Sequence, residues 1–181
     1  MTRSVLLVLL LLLPASTDIE VREHGVFAPS RLETVKGQDG VSSIAFSDDM
    51  WLWTFGDTII KKSDGKETML ANSLAFSPKP EAGNVNSLKF TYYTENGKVA
   101  PFIKNTGSEQ PTVHRLWALD GIRLGDTVYV YYLHVIVHSQ KAFDFSLDSV
   151  GLARWDIPHG WKAGDPVRFT RMDNLFPGGG P

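Results

Sequence analysis

The chain has 181 residues, 43% of them hydrophobic and 21% charged, with 18 Lys and Arg against 20 Asp and Glu and no cysteine. That length supports one domain with a real core, and the balanced charge offers no basic field for a phosphate backbone, so nucleic acid is not an expected partner. The lack of cysteine excludes disulfides, thiolate metal sites and a cysteine nucleophile.

Arg3 precedes an unbroken Leu/Val run, Val5–Leu13, which is followed by Pro14, Ala15, Ser16 and Thr17. A basic start, a short apolar stretch and small residues after it read as a secretory signal peptide over residues 1–17. The run is too short to span a bilayer, which takes about 20 residues. A secreted or periplasmic protein without stable membrane insertion is therefore expected. Residues 18–36 read as a mixed segment leading into β-structure.

Gln38-Asp39-Gly40 is a turn signal. Val41–Phe46 reads as a short strand, 47–49 as a hairpin turn, and Met50–Ile60 as its long antiparallel partner. In that partner Trp51, Trp53 and Phe55 fall on one face and Leu52, Thr54 and Gly56 on the other. A strand apolar on both faces is covered on both, so Asp57, where the apolar run ends, belongs at a rim. A polar loop (61–68), a short strand Asn72–Ser77 stopped by Pro78 and Pro80, and a hairpin around Asn96-Gly97 follow. Leu119-Asp120-Gly121 then repeats the Asp-Gly turn. It introduces a strand over 122–124, a turn at Gly125-Asp126 and a long strand Thr127–His138. Short strands at Val150–Trp155 and Val167–Thr170 end the series, and residues 176–181 read as a tail unable to close a sheet.

No segment has helical periodicity, so the fold class is all-β. The same succession of turn, short strand, long strand and short strand occurs twice, about 80 residues apart, as in the blades of a propeller. The reading is an incomplete antiparallel β-propeller domain over 18–181, with blade one at about 37–103 and blade two at about 114–172. A β-sandwich is the alternative. Two blades leave edges and inner faces open. This favours a piece of a longer protein, or self-association if the chain is this short.

In such blades Asp39, Asp57 and Asn72 come to one rim, and Asp120, His138 and Asp148 occupy the corresponding places in the second. Neighbouring strands lie about 4.8 Å apart, which brings Asp39 and Asp57 within reach of each other. Paired carboxylates in a cleft suit cleavage of a glycosidic bond, one donating a proton and the other activating water or attacking the sugar. Trp51, Trp53 and Trp117 offer flat faces for sugar rings, although the first two lie mid-strand and fit the core as well. Asp39 and Asp120 also fit a purely turn-forming role. His134 and His138 are about 13 Å apart along a strand and cannot share an ion. There is no phosphate loop, dinucleotide fingerprint or Gly-x-Ser-x-Gly elbow. No cofactor or metal ligand set is expected, with room left for a structural or central ion.

The segments 38–43, 51–58, Asn72-Ser73 and 116–121 together resemble a secreted bacterial family long filed as a domain of unknown function. Its members look like five-bladed propellers, and some are endo-D-arabinanases. The resemblance implies a polysaccharide or oligosaccharide partner, with Asp39 as base or nucleophile, Asp57 as an orienting group and Asp120 as a supporting acid. Gln38, Asn72, Trp117, His138 and Asp148 complete the expected substrate-binding set. The proton donor of that architecture usually comes from a third blade, which this chain does not supply. A non-catalytic glycan-binding or surface-interaction module is the other reading.

Overall fold

The computed structural model describes residues 34–80, 86 and 88–177. The signal-peptide reading over 1–17 and the glycines at 178–180 lie outside the described residues. The chain is all-β and antiparallel, with no α-helix among the described residues. Consequently none of these residues forms a helix long and apolar enough to cross a membrane.

The strands are β1 (Val35–Gln38), β2 (Ser42–Ala45), β3 (Met50–Phe55), β4 (Thr58–Lys61), β5 (Glu67–Leu70), β6 (Ser73–Pro78) and β7 (Thr91–Tyr92). They continue as β8 (Thr94–Glu95), β9 (Lys98–Val99), β10 (His114–Leu124), β11 (Thr127–Val137), β12 (Phe145–Asp156) and β13 (Thr170–Pro177). Two four-stranded sheets, β2-β3-β6-β7 and β10-β11-β12-β13, each run in chain order. A three-stranded sheet β1-β4-β5 and the hairpin β8-β9 complete the fold. Asn96 and Gly97 both have positive φ in that hairpin (50° and 73°), the conformation that makes Asn-Gly a tight turn.

The long strand expected over Met50–Ile60 is broken. Gly56 and Asp57 form a bend, and β4 beyond them pairs with β1 and β5 rather than continuing beside β2. Residues 61–68 likewise are not all loop: Lys61 ends β4, and Glu67 and Thr68 open β5. In the second half β10 begins at His114, so Asp120 lies inside a strand, at a register shift between Ala118 and Gly121, and not in a turn that starts one. The last strand starts at Thr170 instead of ending there. Phe176 and Pro177, expected in a tail, pair with Val150 and Ser149.

β3 is covered on both faces, as its composition requires. Leu52 enters a core with Ile44, Leu74 and Phe76 from its own sheet and Leu116, Val130, Tyr132 and Trp155 from the other four-stranded sheet. Trp53 and Phe55 face a second core with Val35, Phe90, Tyr92 and Val99. Each such fully buried side chain stabilises the fold by about 1.5–3 kcal/mol. Trp53 directs its indole N–H to Ser77 Oγ at 2.8 Å, and the Trp51 ring lies tilted beside it with ring centroids 5.8 Å apart. Both belong to the packing of this face.

β10 lies directly against β2 and β3. Thr54, fully buried, donates its hydroxyl hydrogen to the Leu119 carbonyl at 2.8 Å. A side chain at Gly121 would place its Cβ 2.3 Å from the Tyr129 carbonyl and 2.7 Å from Ile44 Cδ1, so the crossing of β10 over β2 needs glycine there.

Candidate active site

Three chain segments bend at the same level. β1 passes into β2 through Asp39-Gly40, β3 into β4 through Gly56-Asp57, and β5 into β6 through Ala71-Asn72. Because β1-β4-β5 and β2-β3-β6 share the same neighbour order, the bends line up as a crease between two sheets. The crease is stitched by backbone: Asp39 N–H donates to the Asp57 carbonyl at 3.1 Å, and Gly56 N–H donates to the Asp39 carbonyl at 2.9 Å. Gly40 takes φ of +56°, and a Cβ on Gly56 would lie 2.8 Å from Asp39 Oδ1. The two glycines let the acidic turns press together.

Asp39 and Asp57 are thus neighbours, but in unlike surroundings. Asp57 Oδ1 accepts hydrogen bonds from Arg115 Nη2, which forms an ion pair with it, and from Trp117 Nε1 at 2.9 Å. The Arg115 side chain is only 11% exposed and that of Asp57 21%, so this pair is shielded from water on most sides. Among the described residues Asp39 has no side-chain partner of this kind. Desolvation of its carboxyl, and next the Asp57 charge, push its pKa up, opposed by its hydrogen bond with the Asp57 backbone and by Arg115. One carboxylate is anchored beside a cation while the other holds its proton more tightly than an ordinary aspartate.

Arg115 and Trp117 alternate along β10, which turns both toward the same side. Sequence reasoning singled out Trp117 but missed Arg115. The available signal was an arginine one alternation before a tryptophan, in the largely apolar first half of β10.

The remaining expected site residues divide. Asp120 is exposed and accepts hydrogen bonds from Ser42 Oγ at 2.7 Å and from Gly121 N–H at 2.8 Å. Those donors hold its pKa below the usual carboxylate range. It therefore lies by the start of β2, near the acidic turn of Asp39, while the charges acting on Asp39 come from Asp57 and Arg115.

Asn72 is not a substrate contact. It is 1% exposed, and its amide donates to the Ile103 and Leu116 carbonyls while its oxygen accepts from Phe102 and Ile103 N–H. Gln38 is likewise held inside the sheet, donating to Ser73 Oγ at 3.2 Å and accepting from Tyr92 Oη at 2.9 Å. His138 and Asp148 are not in the crease. His138, just past β11, contacts Ser146 Oγ at 3.0 Å, and Asp148 pairs with His134 at 3.2 Å. Trp117 is level with Leu133, so His138 lies about 17 Å farther along the strand.

A cleft of about 810 Å³ lies elsewhere, lined by residues 91–96, Phe102, Lys104 and residues 164–169. It contains one carboxylate held by a lysine, Glu95 with Lys104, but no carboxylate pair held like that of the crease. The paired acids lie at the crease and not in this cleft.

The family model described as a domain of unknown function, DUF5005, matches residues 28–172. The chain belongs to this family. A crystal structure described as that of "a putative hydrolase from Bacteroides ovatus ATCC 8483" matches the DUF5005 chain with a TM-score of 0.56 at 14% identity. The match covers 79% of this chain and 41% of that one, so the chain spans less than half the length of the matched protein. At this identity the likeness is one of fold. No curated protein matches the chain.

Proposed function

We propose that this DUF5005 chain is the front part of an exported, propeller-type glycoside hydrolase acting on a polysaccharide, of which an arabinan-type glycan is the first to test. The two four-stranded meanders are read as successive blades, and the leader read over residues 1–17 accounts for export. The observation that carries the reading is the unequal pair at the crease: Asp39 with a raised pKa, beside Asp57 held by Arg115 and Trp117.

In this reading Asp39 activates water or attacks the sugar carbon. A raised pKa suits a carboxylate that must accept a proton. Asp57 orients the crease and, through its ion pair, fixes Arg115 and the half-buried Trp117 ring beside it, where a sugar face can rest. Among the described residues the neighbour of Asp39 in the crease is Asp57, which Arg115 holds in an ion pair. Proton donation to the leaving oxygen is therefore assigned to a group outside them. The matched hydrolase structure, with more than half its length beyond the match, supports a larger whole.

Release of reducing ends from arabinan and related glycans by the intact exported protein tests the proposal. Asp39→Asn is expected to lower the rate by about 10²–10⁴ while leaving the fold melting at least as high. Unchanged turnover ends the assignment of Asp39. Binding of oligosaccharide with no reducing-end release over long incubation points instead to a glycan-binding module.

A further inference from the structure

His134, set aside in sequence as too far from His138 to share an ion, meets a different histidine. β10 and β11 pair Leu116 with His134 and His114 with Ile136, so His114 and His134 project from the same face at diagonal positions. His114 Nδ1 and His134 Nε2 lie 3.0 Å apart. Glu109, on the loop before β10, brings a carboxylate oxygen to the same point, so that one atom from each of the three residues lies within 4.8 Å of the others. From this convergence we propose that Glu109, His114 and His134 form a binding site for a divalent transition-metal ion of the zinc type.

The surroundings are those of a supported site. His134 Nδ1 lies 3.2 Å from Asp148 Oδ2. A carboxylate beside Nδ1 favours the tautomer with its proton on Nδ1 and the Nε2 lone pair toward His114, the carboxylate–histidine arrangement that orients metal ligands. Asp148 in turn accepts from Ser149 Oγ at 3.0 Å. The Glu109 arm is fixed by Arg171, only 7% exposed, which donates to both carboxylate oxygens at 2.6 and 3.0 Å. The loop itself is tied to β10, with Asn105 Nδ2 donating to the His114 carbonyl at 3.0 Å and His114 N–H donating to the Gln110 carbonyl at 2.8 Å.

Two imidazoles and one carboxylate match the donor preference of zinc and its neighbours, and not of calcium or magnesium, which take oxygen ligands. Two nitrogens 3.0 Å apart can each lie about 2.0–2.1 Å from one ion, and a small closing movement of Glu109 completes three protein ligands. Such a set leaves a fourth position for water or a ligand oxygen. The site includes Asp148, which had been expected to bind substrate, and gives it an orienting role. It does not depend on the glycan reading.

Calorimetric titration of the chelator-treated, untagged protein with Zn²⁺ tests the site, with Co²⁺ as a spectroscopic probe. One ion per chain is expected, with a dissociation constant of about a micromolar or tighter and a cobalt spectrum showing imidazole ligation. His114→Gln and His134→Gln should each weaken binding by about 100-fold or more, and Asp148→Asn by about 10–100-fold. His138→Gln, at the far end of β11, should change nothing. Circular dichroism of each variant shows whether it is folded. If a glutamine variant unfolds, Asp148→Asn together with the cobalt spectrum of the unaltered protein decides the matter. Binding weaker than about 100 μM, binding indifferent to these substitutions, or a cobalt spectrum without imidazole nitrogen overturns the proposal.

Discussion

Arg115→Met removes the cation from the crease while keeping most of the side-chain volume, and its effect can be worked from the geometry. Breaking a fully buried ion pair by deleting one partner costs about 3–5 kcal/mol. Here the side chains are 11% and 21% exposed, and Asp57 keeps its hydrogen bond from Trp117 Nε1. Water reaching Asp57 and that remaining donor reduce the loss to about 2–3 kcal/mol. For a domain of this size a loss of 1 kcal/mol lowers Tm by about 2–4 °C, so a fall of about 4–12 °C is expected. Thermal unfolding followed by circular dichroism measures it. The loss should persist in 1 M salt, which screens exposed charges over about 3 Å but reaches a shielded pair poorly. Combining Arg115→Met with Asp57→Asn should be less damaging than the sum of the single changes, with a coupling of about 1–3 kcal/mol. A Tm change under 2 °C, or strict additivity in the double variant, would show that the pair is solvated and that Asp57 is not held as described.

Asp39→Asn should raise Tm slightly at pH 7. The folded state raises the Asp39 pKa, so its protonated form is the favoured one and the ionised form is a burden above that pKa. The gain should shrink as pH falls through the carboxylate range, and equal melting curves of the two proteins from pH 3 to pH 7 would contradict the assignment. Asn72→Ala should cost about 3–5 kcal/mol in denaturant unfolding, because two carbonyls and two N–H groups lose their buried partner; a loss below 1 kcal/mol would place Asn72 in a role other than packing. Gly151→Ala should fail to fold or lose several kcal/mol, since its Cβ would fall 2.1 Å from the Tyr132 ring. A variant with wild-type stability would mean that Tyr132 does not lie across Gly151.

The all-β class was legible because the chain is dense in β-branched and aromatic runs separated by Asp-Gly, Asn-Gly and Pro, signals that act within a few residues. The same local chemistry made β3 readable as a strand covered on both faces, and placed Asp39 and Asp57 at one level. What it could not show is that Met50–Ile60 bends at Gly56-Asp57. A Gly-Asp pair inside an apolar run permits a bend, but only the competing partners β1 and β5 make one. Asn72 illustrates the same limit. Its polar side chain at a strand start suits a rim, and its burial follows from carbonyls and amides that come from residues 102, 103 and 116.

By itself, then, the sequence determined where strands and turns form, and that two acidic turns exist, because these depend on neighbours within a few positions along the chain. Only the tertiary structure decided which charges meet. Arg115 reaches Asp57 across 58 positions, and Arg171 reaches Glu109 across 62. His114 and His134 meet only through the register of β10 on β11. The free energy of a charge is set by what surrounds it in space, so the division between an anchored and a proton-holding carboxylate has no local signature in the chain.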